Sequence, residues 1–191
     1  MSLSSTNSVV GAAENTHVSW SPMEKDREWA VLFDLDETLV ITHALETLRN
    51  TGRWAEVRAG FPKTRLPNGT VTFLEKLSAE VRVGVVTKAP RWYAEQLLAY
   101  HALNIPVIVA YRDVRRVKPD PEGLLKAAQS LGVEPSKCIY VGDDANDVKA
   151  ARAAKCIPVG VCWGNAVDIG LSTICNSWDE VYHEILRLVP G

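Results

Sequence analysis

The sequence predicts an α/β domain built on a doubly wound parallel sheet. Three observations carry this prediction. Short apolar runs alternate with segments of helical period, and several of those runs end in polar or acidic residues. The 191-residue chain, 47% apolar and 23% charged, has the ordinary globular mix for one domain with room for a small insertion. The first run, Ala30–Phe33, ends in acids and reads as a buried strand. Residues 71–77 read as a helix and 81–86 as the second strand. Over 91–103, Trp92, Leu97, Leu98 and Leu103 fall at helical spacings, and 107–110 is the third strand. Residues 121–131 form a helix with Asp120 as its cap before Pro121. The fourth strand is 138–141, followed by an Ala-rich helix over Ala145–Ala154 and a fifth strand over Ile157–Val161. Ser177-Trp-Asp-Glu180 resembles a capping box opening a last helix to about Leu188.

Composition excludes several classes. The net charge of −2 gives no global excess for nucleic acid or membrane. No apolar run approaches the ~18 residues of a membrane span, and without a basic n-region before an apolar h-region a secretory signal is not expected. Cys138, Cys156, Cys162 and Cys175 form no CxxC pair. Reduced thiols in a cytoplasmic protein are therefore expected, and a structural zinc site is not. Residues 1–23 carry one formally charged side chain, Glu14, and are rich in Ser, Thr and Asn, and residues 1–27 are expected to form a disordered or loosely attached leader to a domain over 28–191.

In a parallel α/β sheet, ligands bind at the carboxyl ends of the strands. There the sequence places Asp34-Leu-Asp36-Glu-Thr38 after the first strand, Thr87-Lys88 after the second, Lys118-Pro119 beyond the third and Gly142-Asp143-Asp144 after the fourth, with Asp147 one turn later. Converging carboxylates at ~4 Å repel by several kcal/mol at an effective dielectric of ~20, so they need raised pKa values or a cation. A set of hard oxygens suits Mg²⁺ rather than zinc. Thr87, Lys88 and Lys118 then read as phosphate binders, and the whole set as a phosphoryl-transfer site. Asp34 can attack phosphorus, while Asp36 can protonate the leaving alkoxide and later deprotonate water.

These residues resemble the haloacid dehalogenase-like (HAD) hydrolases. Phe33-Asp-Leu-Asp-Glu-Thr-Leu39 is similar to the family's first motif, Val85-Val-Thr87 to the second, Lys118-Pro119 to the third and Val141-Gly-Asp-Asp-Ala-Asn-Asp147 to the fourth. Trp163-Gly164 resembles the family's sequence after the fifth strand. The resemblance implies a three-layer Rossmann-like HAD core with strand order 3-2-1-4-5 and an aspartyl-phosphate mechanism. It makes Asp34 nucleophile and metal ligand, Asp36 general acid/base with its main-chain carbonyl on Mg²⁺, and Asp143 the acidic metal ligand. Thr87 and Lys118 go to the phosphate. Asp144 and Asp147 become supporting groups, with Asp147 facing Lys118. Glu37 departs from the family in standing where Gly is common.

Other classes fit less well. A phospho-acceptor signalling domain carries its acid pair first and its Lys last, the reverse of the order here. A dehalogenase needs no second acid such as Asp36. A silent partner-binding domain is expected to lose a motif, and none is lost. The expected activity is therefore a Mg²⁺-dependent phosphomonoester hydrolase. The insertion after the first strand, about 42–66, holds one or two short helices at most, which disfavours a closing lid and phosphomutase chemistry. A small-metabolite phosphatase of the phosphoglycolate-phosphatase type leads. The alternative is a nucleotide or polynucleotide-end phosphatase. It rests on Arg49, Arg53, Arg58, Lys63 and Arg65 in the insertion and on Arg112, Arg115 and Arg116 nearby.

Overall fold

The computed structural model describes residues 27–164 and 168–189. Of the expected leader, only Arg27 is among them; its guanidinium donates to the Ser78 carbonyl. Along the chain, β1 (Ala30–Phe33) precedes two short helices, α1 (Glu46–Asn50) and α2 (Trp54–Ala59). Then come α3 (Thr70–Glu80), β2 (Arg82–Val86), α4 (Arg91–Tyr100), β3 (Val107–Val109) and α5 (Glu122–Leu131). The second half runs through β4 (Cys138–Gly142), α6 (Ala145–Ala154), β5 (Ile157–Val161), β6 (Ile174–Cys175) and α7 (Trp178–Leu188).

All strand pairs are parallel, and the order is β3-β2-β1-β4-β5-β6. The expected 3-2-1-4-5 order is present with one strand more. β6 has two residues, too few for apolar patterning to reveal. β1 sits at the centre and its side chains alternate across the sheet. Val31 and Phe33 enter an apolar layer with Phe73, Leu77, Leu97, Trp178 and Val181, from α3, α4 and α7. Ala30 and Leu32 enter the opposite layer with Leu124, Ala127, Ala150 and Ala154, from α5 and α6. The result is three layers, with a sheet apolar on both faces.

Element ends follow local chemistry. The helix expected over 91–103 stops at Tyr100, because Ala102 adopts a left-handed φ of 56° and the Leu103 N–H returns to the Leu98 carbonyl at 2.8 Å. Leu103 is still buried, so its helical spacing reports packing rather than helix. At the start of α5, the Asp120 carboxylate accepts the Glu122 N–H at 3.0 Å, and Pro121 already has helical dihedrals. Half of the expected box opens α7. Ser177 Oγ accepts the Glu180 N–H, but the Glu180 carboxylate takes the N–H of Asn176. The four cysteines are free thiols. Among the described residues, no helix is long and apolar enough to cross a membrane.

The segment between β1 and α3 is fastened to α4. Trp54 meets Trp92 edge-on at 5.5 Å, Phe61 meets Tyr93 at 5.9 Å, and Thr64 Oγ1 lies 2.8 Å from His101 Nε2. These contacts set α1 and α2 beside the carboxyl edge of the sheet.

Candidate active site

The site begins where β1 ends. The Asp34 N–H donates to Val141 O at 2.9 Å, carrying the β1–β4 pairing one residue further and setting Asp34 at the strand terminus. The chain then folds back on itself, with Glu37 N–H to Val40 O at 2.8 Å and Val40 N–H to Leu35 O at 3.0 Å. Glu37 stands in this loop with φ of 60°, the left-handed conformation that explains why the family often has Gly there. Its carboxylate accepts the Thr42 N–H at 2.8 Å, a local bond that helps hold the turn.

Lys118 is the hub. Its ammonium lies 2.8 Å from Asp34 Oδ1 and 2.7 Å from Asp147 Oδ1, and donates to Tyr140 Oη at 2.8 Å. Tyr140 in turn donates to the Val86 carbonyl at 2.9 Å. Burial alone would lower the Lys118 pKa, but the two carboxylates outweigh it and raise it, so the ammonium stays charged. Asp147 is held at both ends, because its Oδ2 accepts the Asp144 N–H at 3.2 Å in the capping box of α6. A Cβ on Gly142 would come within 2.4 Å of that Oδ2, so only glycine lets Asp147 lie against the strand.

Asp34, Asp143 and Asp147 each bring a carboxylate oxygen within 4.8 Å of the others. Burial first, and the charge of Asp34 second, push the Asp143 carboxyl up to about 7. The same two causes raise Asp147, against the pull of Lys118. The donors sort the three acids. Both oxygens of Asp147 have protein partners. Asp34 Oδ2 has none among the described residues, and Asp143 gives only Oδ1 to the Thr38 hydroxyl at 2.8 Å. Asp34 and Asp143 therefore retain an oxygen each for a divalent cation, and this pair fits one better than the full cluster does.

The remaining expected residues divide. Thr87 is buried beside the acids, and its Oγ1 accepts the Ala89 N–H at 3.0 Å. It thus caps a local turn, while α4 starts after Pro90. Lys88 reaches outward to Asp144 at 3.5 Å, with both side chains about two-fifths exposed. Asp36 points away from the acid cluster, to Thr42, Tyr93 and Arg49. Asp34, Asp36, Thr87, Lys88, Asp143 and Asp144 line one groove of about 1030 Å³, with Arg49, Trp54, Trp92 and Arg112 among the residues of its other walls.

Sequence reasoning placed Thr38 in the first motif and Arg49 in the basic insertion without anticipating their partners Asp143 and Asp36, and did not anticipate Tyr140 on Lys118 or Tyr93 on Asp36. Tyr140 carried a signal, since a phenol inside a buried apolar strand needs a partner for its hydroxyl. Arg49 carried none. The basic insertion also reads differently in three dimensions. Arg49 pairs with Asp36 and Arg53 with Glu56, and the Arg58 guanidinium lies over the Trp92 ring at 5.5 Å. Three of the cations expected to attract an extended anion are thus engaged within the protein.

Fold and site define a Rossmann-like α/β protein with a lysine-bridged acidic centre at the carboxyl edge of its sheet. The chain belongs to the haloacid dehalogenase-like hydrolase family, which it matches over residues 43–161. That match begins after Asp34 and Asp36, so the reading of those two residues stands on their own motif and geometry. Phosphoglycolate phosphatase of Escherichia coli (strain K12) is 35% identical over 113 residues, or 57% of this chain and 43% of that protein. The Salmonella choleraesuis (strain SC-B67) protein of the same name gives the same figures. The chain therefore spans less than half the length of these curated relatives. Among solved structures, a HAD family hydrolase from Deinococcus radiodurans R1, with bound phosphate and sodium, superposes with TM-score 0.68 at 19% identity. It covers 85% of this chain and 97% of its own. A subfamily IA HAD hydrolase from Geobacter sulfurreducens PCA gives TM-score 0.65 at 20% identity, covering 82% and 98%.

Proposed function

We propose that the protein is a Mg²⁺-dependent phosphomonoesterase that acts on a phosphorylated small molecule through an aspartyl-phosphate. The observation that carries this reading is the Lys118 bridge. It fixes one oxygen of Asp34 and leaves the other without a protein donor among the described residues, in a groove that Asp34 and Asp143 both line. An anion seated there meets a nucleophilic carboxylate and the Thr87 hydroxyl, while the Lys118 ammonium, whose three N–H groups go to Asp34, Asp147 and Tyr140, acts on it through Asp34. Mg²⁺ held by Asp34, Asp143 and the Asp36 main-chain carbonyl would neutralise the charge that phosphate and carboxylates bring together. Asp34 forms a bond to phosphorus as the ester P–O bond breaks, and Asp36 gives its proton to the departing oxygen. Water then attacks the acyl phosphate, Asp36 takes the proton back, and phosphate leaves. The small insertion and the open groove admit that water throughout, which supports hydrolysis over transfer to a second substrate.

The likeness to phosphoglycolate phosphatases supports a small phosphorylated acid as substrate. Trp54, Trp92 and Tyr111 on the groove wall support a nucleoside monophosphate as a second reading, since a base can lie against such rings. A polynucleotide end has weaker support, because three of the insertion's arginines are already engaged. The test is hydrolysis of an aryl phosphate with Mg²⁺ and with EDTA, then of phosphoglycolate, sugar phosphates, nucleotides and phosphorylated oligonucleotides. Asp34→Asn should lower turnover on the order of 10³-fold or more, because an amide forms no acyl phosphate. An Asn variant within about tenfold of the parent, or full activity in EDTA, would sink the reading.

A further inference from the structure

We infer that Arg49 of the insertion and Tyr93 of α4 are positioning residues for Asp36, so that the insertion works as a holder of the acid/base group rather than as a lid. The inference rests on the phosphatase reading above and assigns two residues that the family motifs do not include. Three groups converge on a single oxygen of Asp36. Oδ1 accepts the Thr42 hydroxyl at 2.8 Å and the Tyr93 hydroxyl at 2.7 Å, and pairs with the Arg49 guanidinium. They come from the loop after β1, from α4 and from α1. Among the described residues, none donates to Oδ2, and Asp36 lines the groove.

An oxygen that already accepts three donors has no room for a proton of its own. The carboxyl therefore carries its proton on Oδ2 when neutral, and both half-reactions use that atom. In the first, the Oδ2 proton passes to the leaving oxygen as the ester bond breaks, and Arg49 stabilises the carboxylate left behind. In the second, the same oxygen takes the proton of the attacking water. The clamp is itself held in place. Tyr93 is fully buried, with Trp54 at 6.0 Å and Phe61 at 5.9 Å against its ring, and Arg49 Nη1 lies 3.4 Å from its hydroxyl. Burial pushes the phenol up to about 12, so it remains a donor across the working range.

The experiment compares the parent with Tyr93→Phe, Arg49→Met and Arg49→Lys on a series of phosphate monoesters running from 4-nitrophenyl to alkyl leaving groups. The readout is kcat/KM, which reports the step that forms the phospho-enzyme. Proton donation matters little for nitrophenolate and much for an alkoxide. Tyr93→Phe and Arg49→Met should therefore stay within about threefold of the parent on 4-nitrophenyl phosphate and fall at least ~30-fold on an alkyl phosphate, with kcat rather than KM carrying the loss. Arg49→Lys should recover part of that loss. In an Asp36→Asn background, Tyr93→Phe should add nothing further, because the two act as a unit. Tyr93→Phe removes one oxygen and keeps the buried ring, so it remains informative if Arg49→Met fails to fold. Equal losses across all leaving groups, or a loss confined to KM, would overturn the inference and make Arg49 a substrate contact or a structural residue. Inactivity of the parent towards every monoester would instead overturn the phosphatase reading, and the inference with it.

Discussion

Lys118 shows how much one side chain organises. Its ammonium is almost fully withdrawn from solvent and, among the described residues, is the one cation that Asp34 and Asp147 share. Replacing it by Met leaves two carboxylates facing each other and Asp143 without a counter-charge. Breaking a buried pair in this way costs about 3–5 kcal/mol, and urea unfolding in EDTA should show it. Activity should fall on the order of 10²-fold or more even where the variant is folded, since Asp34 loses the cation that orients it. Asp34 and Asp143 were legible in the sequence because each follows an apolar run, and a parallel sheet gathers such positions along one edge; Lys118, well beyond β3, and Asp147, inside α6, were legible through the family's motifs. Arg49 and Tyr93 were not legible. Their meeting with Asp36 depends on how the insertion lies on α4, which no local pattern encodes.

At the scale of elements, β1 to β5 were read almost to the residue because buried parallel strands are short and continuously apolar, while the two-residue β6 was not read at all. Helix ends were read less well, and α4 is the instructive case. Leu103 keeps helical phase with Trp92, three turns earlier, while the backbone has already turned at Ala102. The insertion was expected to hold one or two short helices, and α1 and α2 have five and six residues. Helices that short are not stable by themselves and depend on what they pack against. Trp54→Ala should therefore release them. It removes the ring that touches both Trp92 and Tyr93. Limited proteolysis of this variant should give cleavage within 46–63 at a protease level that leaves the parent intact, with the sheet core surviving as a fragment.

At the scale of the whole molecule, the acidic centre couples stability to pH and to cations. Asp143 titrates at about 7 in the folded chain because burial and Asp34 oppose its charge. In the unfolded chain it titrates near ~4. The folded state is therefore favoured fully below ~4 and loses that advantage as pH rises through about 7. A divalent cation should restore it where the acids are ionised. Mg²⁺ at 100 times its dissociation constant adds about 2.7 kcal/mol. The rise in Tm over EDTA should be about 5–10 °C at pH 8 and close to zero at pH 5, read by differential scanning fluorimetry. A rise that is larger at pH 5 than at pH 8 would exclude these carboxylates as the cation's site.

The two outer strands have a consequence for how copies of the molecule meet. β3 has three residues and β6 has two, whereas β2, β4 and β5 have five each. A sheet recruits another chain through the free N–H and C=O groups along its borders, and long flat borders are where fibrils and swapped dimers start. Here the fully buried apolar run of β1 is flanked by strands on both sides, as are β2, β4 and β5. The borders offer a newcomer only two or three residues of backbone. The chain thus tapers its sheet from a sticky middle to blunt rims, which guards against aggregation through strand pairing.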